Sequence, residues 1–169
     1  MNQSEFLSTI KPFKDKLFRL AKRLLVSNEE AEDATQDVLL KLWNKNDTLK
    51  EYGSIEAYAM TITKNHCLDV LKSKRVTNLK IVHNNYTEQG DELHKKIEDQ
   101  DSLNWVEKWI NDLPEQQKLI IQMRDIEEYE FEKIAQVLEM NETAVRVALS
   151  RARKAIREKM INTHNYGLQ

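Results

Sequence analysis

A basic segment close to the C-terminal end carries the side chains whose chemistry is clearest. Residues 141–160 hold six basic and two acidic residues, a net charge of +4. Apolar residues recur there every three or four positions, which predicts one helix with an inward stripe made of Val145, Ala148, Leu149, Ala152 and Ile156. The side chains off that stripe are Arg146, Val147, Ser150, Arg151, Arg153 and Lys154. Because arginine can donate two hydrogen bonds to a guanine edge and neighbouring cations can bind phosphates, this face suits duplex DNA.

A short helix predicted over residues 131–138 and a tight turn precede the basic helix and would position it. Ile134, Ala135 and Leu138 share one face of the short helix. Asn141, in the turn, has a side chain suited to capping the next helix. Two short helices joined by three or four residues form a helix-turn-helix, whose second helix enters the major groove. A basic helix alone is usually an ordinary solvated face, but the preceding helix, turn and cap favour DNA binding.

A second candidate binding face lies on a predicted helix in the N-terminal half. Ser27 and Glu30 have capping-box spacing, which indicates where this helix begins. Asp33, Gln36 and Asp37 follow at intervals of three and four residues, so they lie on one face. That face suits a basic partner, although a solvated acidic face near a helix N-terminus has the same pattern.

The rest of the chain is predicted to be mainly helical, because it has only three Gly and two Pro among 169 residues and no hairpin signal. The predicted helices cover residues 6–24 (with a start or kink at Pro12), 27–43, 54–75, 103–110, 115–126, 131–138 and 141–160. The outer face of the first helix is predicted to be basic, with Lys11, Lys14, Lys16, Arg19, Lys22 and Arg23.

Composition divides the chain into two helical parts. Residues 76–112 hold four basic and eight acidic residues, a net charge of −4, and their first part is polar and contains Gly90. This composition predicts a linker over residues 76–100. We therefore predict an all-α fold of two small helical domains, residues 1–75 and 101–169, joined by a flexible linker.

No arrangement for catalysis or cofactor binding is evident in the sequence. It has no Gly-rich phosphate loop, and a single cysteine allows neither an intrachain disulfide nor a paired-cysteine zinc site. His66 is next to Cys67, but adjacent residues on a helix do not face each other. We expect no catalytic activity, no metal and no cofactor. The sequence also has no signal-peptide pattern and no apolar run that could span a membrane, which predicts a cytoplasmic protein without membrane insertion.

Both halves of the chain resemble one family. Residues 132–157, EKIAQVLEMNETAVRVALSRARKAIR, resemble region 4 of bacterial sigma factors of the extracytoplasmic-function type, group IV of the sigma-70 family. The Ser-Arg-Ala-Arg string at 150–153 and the opening at 113–117 are typical of that family. Residues 31–43 resemble region 2.2, and residues 58–75 resemble the helix of regions 2.3 and 2.4. The matches occur in the family's order, cover nearly the whole chain and leave out region 3, as in that group.

The resemblance implies two surfaces in the N-terminal domain. The region 2.2 face, with Asp33, Gln36 and Asp37, would dock on the β′ clamp helices of core RNA polymerase. The helix of regions 2.3 and 2.4 and the loop before it, residues 45–54, would read the promoter's −10 element as separated strands. The residues placed near that DNA are Asn65, Lys72 and Arg75. Trp43 and Tyr58 are interpreted as packing residues rather than as platforms for bases.

The resemblance also implies that the basic helix reads the −35 element, chiefly through Arg146, Val147, Ser150 and Arg151, with Arg153 and Lys154 beside them. Two features depart from the family pattern. Many members have Lys/Arg-Ser-Arg where this chain has Arg146, Val147 and Ala148, and often have Gly where it has Glu139. Because valine can contact a thymine methyl but cannot donate a hydrogen bond, the departure at Val147 bears on the −35 sequence that is read.

The predicted function is that of a transcription initiation factor, which binds core RNA polymerase and directs it to promoters by −35 and −10 recognition. The family implies one further partner, an inhibitory anti-sigma factor. Two alternatives remain: a stand-alone helix-turn-helix regulator that binds duplex DNA without polymerase, and an adaptor whose basic helix never meets DNA. A regulator would be expected to dimerise, and the sequence has no coiled-coil heptads to support a dimer.

Overall fold

The computed structural model describes residues 1–82 and 102–167, and those ranges contain helices and no strand. Four helices form the N-terminal domain: α1 (Gln3–Ile10), α2 (Lys14–Leu25), α3 (Asn28–Asn44) and α4 (Ile55–Val82), with a 3₁₀ turn at Leu49–Glu51. Four more form the C-terminal domain: α5 (Ser102–Asn111), α6 (Glu115–Ile121), α7 (Phe131–Leu138) and α8 (Glu142–Gly167). A π-helical turn, Gln122–Ile126, continues from α6.

Local sequence signals account for the breaks between the first helices. The predicted helix over residues 6–24 is two helices, because the chain breaks around Pro12, where proline cannot supply a backbone hydrogen bond. Val26 ends α2 in the left-handed conformation, with φ of 67°. Ser27 then caps α3, and its hydroxyl accepts a hydrogen bond from the Glu30 N–H at 3.3 Å.

The N-terminal domain buries the stripe of apolar residues that its sequence shows. Leu17 and Leu20 of α2, Val38 and Leu42 of α3 and Met60 of α4 are all completely buried. The α2 helix packs against both α3 and α4, so it is the central helix of this domain. The α3 and α4 helices also pack against each other, and α4 contacts α7 of the C-terminal domain.

In the C-terminal domain, the turn of the helix-turn-helix has the geometry that the second helix requires. Glu139 adopts a left-handed conformation, with φ of 55° and ψ of 45°, and so ends α7 where family members often have glycine. Asn141 caps α8, as predicted, by accepting a hydrogen bond from the Ala144 N–H at 2.7 Å. Both α6 and α7 pack against α8 and support it from the side away from solvent.

Three helices differ in extent from the prediction. The α4 helix continues to Val82 rather than ending near Arg75, and α8 continues to Gly167 rather than ending near Met160. The segment predicted as one helix over residues 115–126 changes from an α-helix to a π-helical turn at Gln122. The remainder of the predicted linker, after Val82, lies outside the described residues.

The sequence predicted that the basic residues of α2 form an outer face, but not all of them are exposed to solvent. Arg23 is buried, and Arg19 and Lys16 contact residues of the C-terminal domain. The periodicity of one helix cannot show this, because the partners lie about a hundred residues away in the sequence. Within the described ranges, none of the helices has the length and apolarity needed to cross a membrane.

Candidate nucleic-acid and polymerase interfaces

The outward face of α8 consists of the residues that the periodicity assigned to it. Val145, Ala148, Leu149 and Ala152 are buried against the domain. The exposed side chains are Arg146, Val147, Ser150, Arg151, Arg153 and Lys154. Val147 is 43% exposed. The structure thus presents one continuous polar and basic strip, with a single apolar side chain in it.

Arg146 is oriented by an aromatic ring that the sequence did not single out. Its guanidinium lies 4.1 Å from the ring centroid of Phe131, the first residue of α7, and it also pairs with Glu142 at 3.8 Å. The guanidinium of Arg124 lies 4.3 Å from the same ring. Because cations are attracted to aromatic faces, one phenylalanine holds two arginines beside the outward face of α8. Arg124 precedes the helix-turn-helix in the sequence, so only the three-dimensional packing shows that its guanidinium lies on the Phe131 ring.

Arg153 has a different environment from the other exposed cations of α8. Its Nε donates to Asp125 Oδ2 at 3.1 Å, and its Nη2 donates to the second oxygen of the same carboxylate. This hydrogen bond is the largest cause that raises the pKa of Arg153. Arg153 therefore links α8 to the π-helical turn. It also lines a shallow groove along α8, together with Ser150 and three other basic residues, Arg146, Lys154 and Arg157.

The acidic face of α3 is exposed and contains an apolar residue that the sequence reading missed. Asp33, Gln36 and Asp37 are exposed, and Leu40 is 60% exposed beside them. Leu40 follows Asp37 by three residues, so it belongs to the same face. The signal was available in the sequence, because Leu40 lies off the buried stripe that includes Val38 and Leu42. Leu40 therefore adds one exposed apolar side chain to the acidic face of α3.

Asp37 lies close to a histidine on the neighbouring helix. Asp37 Oδ2 is 3.6 Å from His66 Nε2, and His66 Nδ1 is 3.0 Å from Lys41 Nζ. The described contacts of the His66 ring are therefore with α3 and not with the Cys67 thiol. The Cys67 thiol is fully buried, and this burial raises its pKa to about 12. A thiol in that environment is inert.

The residues proposed for the −10 element lie on the exposed side of α4. Asn65, Lys72 and Arg75 are all exposed, and the structure places them along one side of the helix rather than in a pocket.

The loop before α4 holds a stacked aromatic pair. The rings of Tyr52 and Tyr58 are 3.8 Å apart and nearly parallel, and Lys45 Nζ donates to Tyr58 Oη at 3.2 Å. Tyr58 is half-buried, while Tyr52 is 39% exposed. Trp43 packs edge-on against Phe6, as expected of a packing residue.

Comparison with known proteins identifies both domains. The family model "Sigma-70 region 2" matches residues 9–77, and "Sigma-70, region 4" matches residues 103–156. The chain belongs to the sigma-70 family, in its extracytoplasmic-function group. It is a transcription initiation factor that directs RNA polymerase to promoters, and the alternative of a stand-alone regulator is not favoured. The family consists of non-catalytic transcription factors.

Two curated relatives come from Bacillus subtilis (strain 168). The extracytoplasmic-function RNA polymerase sigma factor SigW is 20% identical over 169 residues, which cover 94% of this chain and 90% of SigW. The RNA polymerase sigma factor SigV is 25% identical over 152 residues, which cover 89% of this chain and 88% of SigV. The likeness therefore extends over both domains.

Two solved structures share the fold. The sigma factor RpoE from Bartonella quintana, solved in complex with the anti-sigma factor NepR, matches with a TM-score of 0.73 and 22% identity over 91% of this chain and 95% of that one. CnrH, solved in complex with the cytosolic domain of CnrY, matches with a TM-score of 0.68 and 17% identity over 95% of this chain and 90% of that one. The predicted all-α fold, with region 2-like and region 4-like domains, is confirmed.

Proposed function

We propose that this sigma factor reads the −35 element through the outward face of α8. The observation that carries this proposal is the exposed strip of that helix, which packing on the opposite side aims at solvent. In this assignment Arg146 and Arg151 donate to base edges, Ser150 donates or accepts, and Val147 contacts a thymine methyl. Lys154 binds a backbone phosphate. Arg153 contributes mainly by holding α8 in place, because Asp125 already occupies its guanidinium.

The exposed face of α3 is proposed as the surface that docks on the β′ clamp helices of core polymerase. Asp33, Gln36 and Asp37 supply carboxylates and an amide for a basic partner, and we add Leu40 as the apolar centre of the contact. In protein interfaces, a few residues near the centre of the contact supply most of the binding free energy. The carboxylates around Leu40 would then determine orientation and the rate of association.

The −10 element is assigned to α4 and to the loop before it. Asn65, Lys72 and Arg75 face solvent along the helix, where they can bind the backbone of a separated strand. The exposed ring of Tyr52, supported from behind by Tyr58, is suited to stacking on an unpaired base. This support distinguishes the loop from an ordinary surface turn.

We further propose domain limits of 1–75 and 101–169, a cytoplasmic location, and no enzymatic activity. The two solved neighbours are sigma factors bound to NepR and to CnrY. An inhibitory protein of the anti-sigma class is therefore the additional partner that we assign to this chain.

The decisive experiment measures binding to core polymerase. The purified chain is run on a sizing column with bacterial core RNA polymerase, beside the variants Asp37→Lys and Leu40→Glu. We expect the wild type to co-elute and both variants to lose co-elution while remaining folded. The matched control is Glu158→Lys, which makes the same change of charge on an exposed part of α8. Co-elution of all the variants would reject the α3 surface, and failure of the folded wild type would reject polymerase binding by the free chain.

A further inference from the structure

A histidine lies between a carboxylate and an ammonium group where α3 packs against α4. His66 of α4 has its Nε2 3.6 Å from Asp37 Oδ2 and its Nδ1 3.0 Å from Lys41 Nζ. The His66 side chain is 16% exposed, whereas Asp37 and Lys41 are both exposed on α3. The imidazole therefore reaches the edge of the α3 surface that is assigned to core polymerase.

Asp37 and Lys41 have the spacing of an ion pair within one helix. Residues four apart on a helix are neighbours, and opposite charges at that spacing attract each other. In the part of the chain that the structure describes, no ion pair joins these two side chains directly, and each contacts the ring of His66 instead. Lys41 therefore does not neutralise the carboxylate of Asp37, which is 59% exposed and available to a cation of a partner.

Among the protonation states of the imidazole, only the neutral ring with its proton on Nε2 suits both contacts. In that tautomer Nδ1 accepts a hydrogen bond from the Lys41 ammonium, while Nε2–H directs a partial positive charge toward Asp37. Because 3.6 Å is longer than a hydrogen bond, the contact with Asp37 is a weak electrostatic one. The neutral ring therefore holds Lys41 toward α4 and leaves most of the charge of Asp37 unpaired.

A second proton on the His66 ring reverses this arrangement. An imidazolium has no acceptor, so its Nδ1–H would face the Lys41 ammonium, and two positive charges would lie 3.0 Å apart. Lys41 then leaves the ring, and the full positive charge of His66 attracts the carboxylate of Asp37. The α3 surface gains a free cation and has one of its anions neutralised. Both changes oppose the binding of a basic partner.

Across residues 1–82 and 102–167, no charged group other than these two contacts the ring of His66. The α2 and α7 helices also pack against α4, and the lysines by which they pair with it, Lys16 and Lys133, both contact Glu56. Glu56 precedes His66 by ten residues, nearly three turns of α4. On α4 itself, Asp69 lies one turn beyond His66 and is exposed. The charge of His66 therefore acts mainly on the two α3 residues.

We propose that His66 is a positioning residue of the polymerase-binding surface of α3, and that its protonation weakens binding to core polymerase. This inference rests on the role proposed above for α3. Histidine is the side chain whose charge ordinarily changes between pH 5 and pH 8, so the contact responds to the acidity of the surroundings. A sigma factor with this device binds polymerase less tightly as the pH falls.

The test measures the affinity of the full chain for core polymerase at pH 7.5 and pH 5.5, by the anisotropy of a fluorescent label on the sigma factor. The wild type should bind about three- to fivefold more weakly at pH 5.5, the size expected for the loss of one exposed ion pair. His66→Gln should lose this dependence, because its amide can accept from Lys41 and donate to Asp37 but cannot gain a proton. His66→Lys carries a permanent charge and should bind weakly at both pH values. His164→Gln, at an exposed position of α8, is the matched control and should keep the wild-type ratio.

Positioning is tested separately from protonation. His66→Leu removes both contacts and lets Asp37 pair with Lys41, so at pH 7.5 it should bind polymerase about threefold more weakly than His66→Gln. Circular dichroism checks that each variant keeps its helices at both pH values.

Each part of the inference can fail by itself. A wild-type affinity that does not fall at pH 5.5, or that falls equally in His66→Gln, would reject the effect of protonation. Equal binding by the leucine and glutamine variants at pH 7.5 would reject the positioning role. Normal co-elution of Asp37→Lys and Leu40→Glu with core polymerase would reject the α3 surface itself, whatever the pH profile of the wild type.

Discussion

Arginines line one face of a helix in both domains, but the two faces have different surroundings. On α8, Arg146 and Arg153 are held by Phe131, Glu142 and Asp125, all within the C-terminal domain. On α2, Arg19 and Arg23 are held by residues across the domain boundary. The first arrangement leaves the guanidinium groups beside an open groove, whereas the second makes them part of an interface. The location of an arginine's partner therefore distinguishes a ligand-binding face from a domain contact.

The largest expected effect comes from removing the buried arginine of α2. Arg23→Ala should lower the free energy of unfolding by about 3 kcal/mol, because buried partners lose their cation while Glu107 stays half-exposed and can be rehydrated. Urea unfolding followed by circular dichroism measures the change. Lys22→Ala, at the neighbouring exposed position, should change stability by no more than about 0.5 kcal/mol. Equal effects of the two substitutions would contradict the contrast between buried and exposed positions on α2.

On α8, the expected loss is in promoter discrimination rather than in stability. Arg146→Ala should cost about 1–3 kcal/mol of preference for the cognate −35 sequence. Transcription by the reconstituted holoenzyme from matched and mutated −35 elements measures it. Lys154→Ala is the comparison, since loss of a phosphate contact should weaken binding to all sequences about equally. A uniform loss with Arg146→Ala would show that this residue binds the backbone only.

The ring beneath Arg146 should have a smaller effect. Phe131→Leu removes the aromatic face on which Arg146 and Arg124 lie, and it should cost about 0.5–1 kcal/mol of the same discrimination. Phe131→Tyr keeps the ring and should behave like the wild type in the transcription assay. If the leucine variant also behaves like the wild type, the ring does not orient Arg146 in the complex.

The smallest expected effect is a pH dependence of the contact between Glu56 and the C-terminal domain. Burial raises the pKa of Glu56, but the hydrogen bond from Tyr129 and the charges of Lys133 and Lys16 outweigh it, so the pKa lies below its ordinary value of 4.5. Because separation of the domains removes Tyr129 and Lys133 from Glu56, its pKa is lower in the closed arrangement than in the open one. The closed arrangement is therefore stabilised above the open-state pKa, and this stabilisation is lost as pH falls through the closed-state pKa. Small-angle X-ray scattering between pH 6 and pH 3.5 should show that the radius of gyration of the chain increases as the pH falls. Glu56→Gln should lessen that dependence, and an unaltered profile would exclude Glu56 as its source.

The helices and their caps were predictable because their causes are local. Ser27 and Asn141 cap the helices that their spacing indicated, and the stripe from Val145 to Ala152 is buried as its periodicity required. The outward face of α8 followed from that stripe by exclusion. The exposure of Leu40 could have been predicted in the same way, since it lies off the buried stripe of α3. The end of α4 was not, because the polar residues after Arg75 lack a clear stop signal.

Sequence alone determined which residues of each helix face inward, which helices form the helix-turn-helix, and which family the chain resembles. These properties depend on residue type and on spacing within a few turns, where geometry is nearly constant. Only the tertiary structure decided that Phe131 supports both Arg124 and Arg146, and that Arg23 meets Glu107, Gln122 and Asn111. Arg23 lies 84 to 99 residues from these partners, and Arg146 meets the Phe131 ring only because α7 packs against α8. The sequence around a charged residue does not indicate which distant side chain it will contact.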